Sequence, residues 1–153
     1  VNAVEGRAAL HVALRMPRET VLEVDGVNII PNIWSVLDAV RDFSEEVRSS
    51  TRRGYTGKSL TDVVCIGIGG SYLGVEFVHE ALRAEPDAEI AASGRRLRFL
   101  ANIDPVDLKL TLAGLSAETT LFVIISKTFT TAETMLNARL AKEWLIRELG
   151  EPA

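Results

Sequence analysis

Six consecutive residues, Ser126-Lys127-Thr128-Phe129-Thr130-Thr131, carry four hydroxyls and one ammonium. They follow Leu121-Phe122-Val123-Ile124-Ile125, the most apolar strand-like run of the chain, and lead into a segment with helical spacing. Hydroxyl and backbone N–H donors at a helix N-terminus suit a phosphate monoester, which needs many donors, little bulk and modest positive charge. A second run, Gly67-Ile68-Gly69-Gly70-Ser71-Tyr72-Leu73-Gly74, stands between Val63-Val64-Cys65-Ile66 and another helical segment. Glycines there let the backbone turn sharply and approach a ligand closely. The helix behind them offers free N–H groups and a positive dipole end, and Ser71 adds a hydroxyl. The bland reading is a tight turn in the glycine run and a polar turn with one capping threonine in the other. Capping accounts for one hydroxyl, not for the set. Together the runs predict a phosphate-binding crevice at the edge of a parallel sheet.

Two familiar glycine motifs fail. A dinucleotide fingerprint from Gly67 would place its third glycine on Tyr72. A Walker A loop could end in Gly57-Lys58-Ser59, but its first glycine would stand at Arg52, and that stretch precedes the first parallel strand. Lys58 therefore reads as a solvated loop lysine. Glu76 and Glu80 read as solvated helix positions. Glu133 completes a capping box with Thr130. His11 and His79 read as structural or surface residues, and Cys65, inside an apolar strand, as a small core residue and not a nucleophile. A general base must sit within hydrogen-bond reach of the proton it takes. No residue here is nominated for that role, and no metal-ligand set or cofactor is expected.

The elements that position these runs follow from periodicity. A helix is expected over Asn2–Arg15, opened by an Asn2/Glu5 capping box and stopped by Pro17. Asp25-Gly26 between Val21–Val24 and Val27–Ile29 signals a hairpin. After Pro31, Ile33, Val36, Leu37, Val40, Phe43 and Val47 recur at helical spacing, with Trp34 widening a stripe read as packing. Residues 49–59 are polar and read as a loop. Strands at 63–66, 97–100 and 121–125 then alternate with helices, one opened by Asp104-Pro105 and ended near Gly114, the last running to about Leu149. The fold class is thus α/β, a parallel sheet flanked by helices and preceded by a helical and hairpin segment. Ligands of such sheets bind beyond the carboxyl ends of the strands.

Composition narrows the function classes. The chain has 153 residues, 17 Lys+Arg against 21 Asp+Glu (net charge −4), 47% hydrophobic and 25% charged residues. That is one domain's length with an ordinary core fraction, neither a disulfide miniprotein nor a disordered tail. A pI of 5.3 argues against nucleic acid or an anionic membrane as partner. One cysteine allows no intrachain disulfide and suits the cytoplasm. No apolar run approaches the ~18 residues of a membrane span, and no signal segment opens the chain. A start at Val1 and an end at Glu151-Pro152-Ala153 read as a piece of something larger.

Ile66-Gly67-Ile68-Gly69-Gly70-Ser71 with Leu73 and Gly74 resembles the first signature of the glucose-6-phosphate isomerase family. Ser126-Lys127-Thr128-Phe129-Thr130-Thr131 with Glu133 and Thr134 resembles its phosphate-loop signature. Asn2, Glu5, Arg7, Leu10-His11 and Ala13-Leu14-Arg15 are similar to the family's N-terminal stretch, as is Gly57-Lys58 with Thr61-Asp62. Arg98–Asp107 and Thr134–Arg139 look closest to the plant-type branch. The resemblance implies a sugar-isomerase (SIS) fold: residues 1–59 as N-terminal helices and hairpin packing on the sheet, 60–153 as one SIS phosphosugar-binding domain, and a second SIS domain outside this chain. It implies a homodimeric, cofactor-free enzyme interconverting glucose 6-phosphate and fructose 6-phosphate. Ser71, Ser126, Thr128 and Thr131 would hold the substrate phosphate, Lys127 chiefly through its backbone N–H. Gly69 and Gly70 would let the sugar lie close to the backbone. Tyr72 and Val75 depart from the family's habit of a small or acidic residue and a proline. The family's catalytic glutamate, histidine, lysine and arginine fall in motifs after the matched segment, so the fragment alone is expected to be inactive. The alternative is a non-catalytic SIS-type phosphosugar-binding module. Either way, a lone fragment of this fold is expected to expose apolar surface.

Overall fold

Asp25 and Gly26 turn the chain back on itself in the computed structural model, which describes Gly6 and residues 9–151. Both adopt positive φ (52° and 77°), as a two-residue hairpin turn requires. They join β1 (Glu23–Val24) to β2 (Val27–Asn28), paired antiparallel with Glu23 opposite Asn28. Asn28 Oδ1 accepts from Leu22 N (3.1 Å) and Ile30 N (3.2 Å), clipping the hairpin to the start of α1 (Ile30–Arg48). Before it, a short 3-10 helix, His11–Arg15, stops ahead of Pro17. The rest of the expected first helix, with its Asn2/Glu5 capping box, lies outside the described residues. Trp34 Nε1 donates to Met16 O (3.1 Å), and the Arg18 guanidinium lies 4.4 Å from the Trp34 ring while forking onto Asp38.

The apolar stripe of α1 is not packed along its length. Ile30 and Val47 are buried, but Val36 (63%), Val40 (61%) and Phe43 (41%) are exposed. A five-residue 3-10 turn and a hairpin of two-residue strands are too small to cover one whole side of a 19-residue helix.

The chain divides into two compact units, residues 1–49 and 50–153, and the second carries the parallel sheet. Its opening loop is tied within that unit by the Arg53–Ser59 bridge and by an ion pair from Lys58 to Glu118. Lys58 is a solvated loop lysine, as expected, that also makes a surface ion pair. The expected alternation follows: β3 (Asp62–Ile66), α2 (Gly70–Leu82), β4 (Arg96–Leu100), α4 (Pro105–Leu112), β5 (Thr120–Ile124) and α5 (Ala132–Leu149). A seven-residue α3 (Pro86–Ala92) and a 3-10 turn (Ala117–Thr119) are additions that periodicity did not signal.

The three strands pair in parallel in the order β4-β3-β5, with Ile66 level with Leu100 on one side and Ile124 on the other. The central strand β3 is nearly all buried, as a parallel strand should be. β5, the most apolar run of the chain, is only half covered and Ile124 is 38% exposed, because β5 forms one edge of the sheet. The core is Val64, Ile66 and Leu100 from the sheet with Ala141 from α5, flanked by Leu108, Leu115 and Phe122. Asp62 is buried beneath it (3% exposed) and accepts from Arg96 Nε (2.5 Å) and Thr119 Oγ1 (3.2 Å). Arg98 donates to Leu110 O (3.3 Å), Thr111 O (2.6 Å) and Ala113 O (2.8 Å), so one guanidinium closes the carbonyl end of α4. α2 contributes no buried residue: Leu73, Phe77, Val78 and Leu82 are all more than half exposed.

Candidate functional site

The strand order has a chemical consequence. From β3 the chain crosses to β4 on one side, then to β5 on the other, so the direction of winding reverses between β3 and β5. In open parallel sheets such a reversal is where a ligand crevice forms, beyond the carboxyl ends of the two strands. The glycine run leaves β3 there, and the hydroxyl run leaves β5. The two sequence-predicted loops are thus neighbours, joined where Ile125 N donates to Ile66 O (2.8 Å).

Gly67 is the point of closest approach. A Cβ on it would lie 2.8 Å from Ser71 O and 3.2 Å from Ile125 O, so only hydrogen fits between the start of α2 and the end of β5. Gly69 caps α2 with φ 56° and ψ −127°, a combination open to glycine alone. Gly70 is the first helical residue, and a Cβ there would meet nothing within 4 Å. The backbone at the mouth of the crevice is thus bare. Tyr72 N and Leu73 N turn back onto Gly69 O (3.0 and 2.9 Å), so α2 starts abruptly, with Ser71 half-buried in its first turn.

The hydroxyl run is organised by Phe129, a non-glycine residue at positive φ (54°). Phe129 N donates to Ser126 Oγ (3.0 Å), which engages that oxygen as an acceptor and polarises its O–H. Thr128 Oγ1 and Thr130 Oγ1 lie 2.6 Å apart, sharing one hydrogen and keeping the other to give. The turn moves the start of α5 one residue on from the expected Thr130/Glu133 capping box: Thr131 is the N-cap, and its side chain makes no capping bond. The expectation that capping consumes a hydroxyl is corrected, and Thr131 keeps its own. Lys127 is exposed on the same loop.

Capping separates the three helices that follow parallel strands. α4 is closed by Asp104, whose Oδ1 accepts from Val106 N (2.8 Å), with Asp107 adding a second carboxylate in its first turn. α2 and α5, which flank the crevice, have no side-chain cap. The backbone N–H ends of α2 and α5 are therefore left without a side-chain cap between β3 and β5; α5 carries Glu133 in its first turn, and α2 carries no acid there. The residues singled out in the sequence, Ser71, Ser126, Lys127, Thr128 and Thr131 with Gly69 and Gly70, all lie in the two loops that leave β3 and β5 at this edge.

Other titratable groups stand apart from it. Burial pushes the Cys65 thiol up, consistent with an inert core residue (7% exposed). The Glu76 carboxylate beside Tyr72 raises the tyrosine's pKa, and the Tyr72 ring meets Phe99 edge-on at 5.5 Å. Glu80 is a solvated helix position, as expected, and makes a surface pair with Arg83 (2.9 Å), while Glu76 is half-buried. His79 is half-buried with its ring 6.0 Å from Phe99, and His11 is exposed. Among the described residues, no group of three or more His, Cys, Asp or Glu could hold a metal ion, and no helix is long and apolar enough to cross a membrane. Sequence reasoning passed over Gly67 as a contact point and the Asp104 cap as a selector. The second was visible in Asp104-Pro105 preceding a helix.

The chain resembles known proteins along its whole length. The family model "phosphoglucose isomerase" matches residues 1–153. The cytosolic glucose-6-phosphate isomerases of Arabidopsis thaliana and Zea mays are 56% and 57% identical over 153 residues, covering 100% of this chain and 27% of theirs. A crystal structure of a glucose-6-phosphate isomerase from Chlamydia trachomatis superposes with a TM-score of 0.76 at 26% identity, over 96% of this chain and 26% of that one. The chain thus spans about a quarter of the length of these relatives, and it belongs to the phosphoglucose isomerase family.

Proposed function

We propose that this chain is the substrate-phosphate part of a cytosolic glucose-6-phosphate isomerase, a homodimer that interconverts glucose 6-phosphate and fructose 6-phosphate. Residues 60–153 serve as one SIS domain, and the second lies in the remaining length of the relatives. Ser71, Ser126, Thr128 and Thr131 hold the phosphate with the Lys127 backbone N–H. Gly69 and Gly70 let the sugar lie against the main chain. The reaction moves a proton between C1 and C2 through an enediolate, and the base for that step lies outside these residues. Phosphate anchoring is remote from C1 and C2. Its energy serves to position the reacting carbons.

The observation that carries the reading is the pair of helices without side-chain caps, α2 and α5, meeting at the switch point while α4 is capped by Asp104. The test is titration of the chain with glucose 6-phosphate and with glucose, followed by two-dimensional NMR. Shifts are expected at the amides of residues 69–73 and 126–133 with the phosphate ester only. Ser126→Ala and Thr131→Ala should each weaken binding about tenfold, the value of a hydrogen bond to a charged group. Equal response to glucose, or unchanged affinity in both variants, would refute the reading.

A further inference from the structure

α5 carries the hydroxyl run on its N-terminus, so whatever holds its first turns against the sheet sets the geometry of the site. Its buried positions are Thr134 (2% exposed), Asn137 (3%) and Ala141 (2%), on one face at i, i+3 and i+7. Only Ala141 joins the apolar core, with Val64, Ile66 and Leu100. The fully buried positions in the N-terminal half of that face are polar, so the buried apolar core holds the far half of the helix. The Asn137 side chain supplies a different anchor: its Nδ2 donates to Asn102 O at 2.9 Å. Asn102 lies in the loop after β4, the strand on the opposite side of β3 from β5. The bond therefore reaches across the central strand, two strand spacings (about 10 Å) from β5. Asn102 is itself tied down, because its Oδ1 accepts from Asp104 N (3.0 Å), the residue that caps α4.

We propose that Asn137 is a positioning residue: its buried carboxamide pins the first turns of α5 to the Asn102–Asp104 loop and so holds the hydroxyl run in register with the glycine run. This rests on the phosphate-site reading above. Asn137 touches no ligand in this role. It acts through the placement of Thr131 and its neighbours.

The test compares the chain with Asn137→Leu, which keeps the volume and removes the donor, and with Asn137→Asp. Inorganic sulfate is the probe, because it does not titrate over the range used. NMR reads its affinity and also the Asp104 and Val106 amides, which report the loop without ligand. Asn137→Leu is expected to weaken sulfate binding about five- to tenfold, the worth of a buried hydrogen bond, and to shift both amides. In Asn137→Asp the acid is buried, which raises its pKa. As the pH falls, the neutral carboxyl can donate to Asn102 O. Affinity should then recover toward that of the parent at the same pH, which packing alone does not predict. Parent-like sulfate affinity in Asn137→Leu, or an Asn137→Asp response that parallels the parent at every pH, would overturn the positioning role while leaving the phosphate site standing. Failure of the parent chain to bind sulfate would overturn both.

Discussion

Gly67→Ala tests the contact between the two loops most directly. The glycine's φ is not in the left-handed region, so the substitution adds no backbone strain and its effect is steric alone. The new methyl carbon would lie 2.8 Å from Ser71 O, 3.0 Å from Ser71 C and 3.2 Å from Ile125 O. All three are backbone atoms, which cannot rotate aside as a side chain would. Relief requires α2 to move away from the end of β5, which opens the crevice. Overpacking of this kind costs about 1–3 kcal/mol. With a urea m-value of ~2 kcal/mol/M, the midpoint should fall by ~0.5–1.5 M. Trp144 packs edge-on against Phe122 at 5.9 Å, so its fluorescence in a Trp34→Phe background reads the sheet-bearing unit. Gly70→Ala is the counterpart. Its Cβ meets nothing within 4 Å and its φ is also ordinary, so stability should hold or rise by about 0.4–1 kcal/mol. Yet that methyl stands at the mouth of the crevice and should weaken binding of glucose 6-phosphate. A parent-like midpoint for Gly67→Ala, or parent-like affinity for Gly70→Ala, would refute the account of how the loops meet.

Two further outcomes follow from contacts away from the crevice. Arg98→Met removes the guanidinium shared by Leu110 O, Thr111 O and Ala113 O, and should cost about 2 kcal/mol in urea melts and speed amide exchange in α4. A loss under ~0.5 kcal/mol would count against the role of Arg98 as the closure of that helix. Hydrogen bonding from Lys58 holds the Glu118 carboxyl below its ordinary value of 4.5. A depressed folded pKa contributes stability that is full above the unfolded value and is lost as pH falls through the folded one. Lys58→Met should therefore lower Tm at neutral pH, and the gap should close in acid. A gap that persists near pH ~2, or that ignores added salt, would contradict this pairing.

Much of the fold was legible because its signals are local. Asp25-Gly26 can turn only one way at low cost, and the apolar runs at β3, β4 and β5 lie within one residue of their expected places. That the two loops are neighbours was legible because glycines and hydroxyls mark strand ends, and the parallel order brings two of those ends together. What escaped was set at longer range. The start of α5 depended on Phe129 taking a left-handed conformation that its residue type does not announce. Pro86–Ala92 is shorter than two turns and leaves no periodicity to read. Val36, Val40 and Phe43 have the spacing of a buried stripe, but spacing does not say whether enough chain lies opposite to cover it. Asn137 looks like any solvent-facing amide until its i, i+3, i+7 relation to Thr134 and Ala141 is known.

The placement of β3 between its partners also governs the order in which the fold can close as the chain is made. The middle strand is synthesised first. Asp62 must wait for Arg96, 34 positions later, to be paired on one side and for Thr120, 58 positions later, to be paired on the other. Each closure costs chain entropy before any ladder bond repays it, which favours slow folding over the rapid collapse of a helical bundle. The core then stays open until Ala141 arrives. A nascent chain stopped short of α5 would hold an unpaired or half-covered β3, the most buried strand of the finished fold, facing solvent and its neighbours. α5 thus brings the hydroxyl run with it and shields the strand of the parallel sheet that was made earliest.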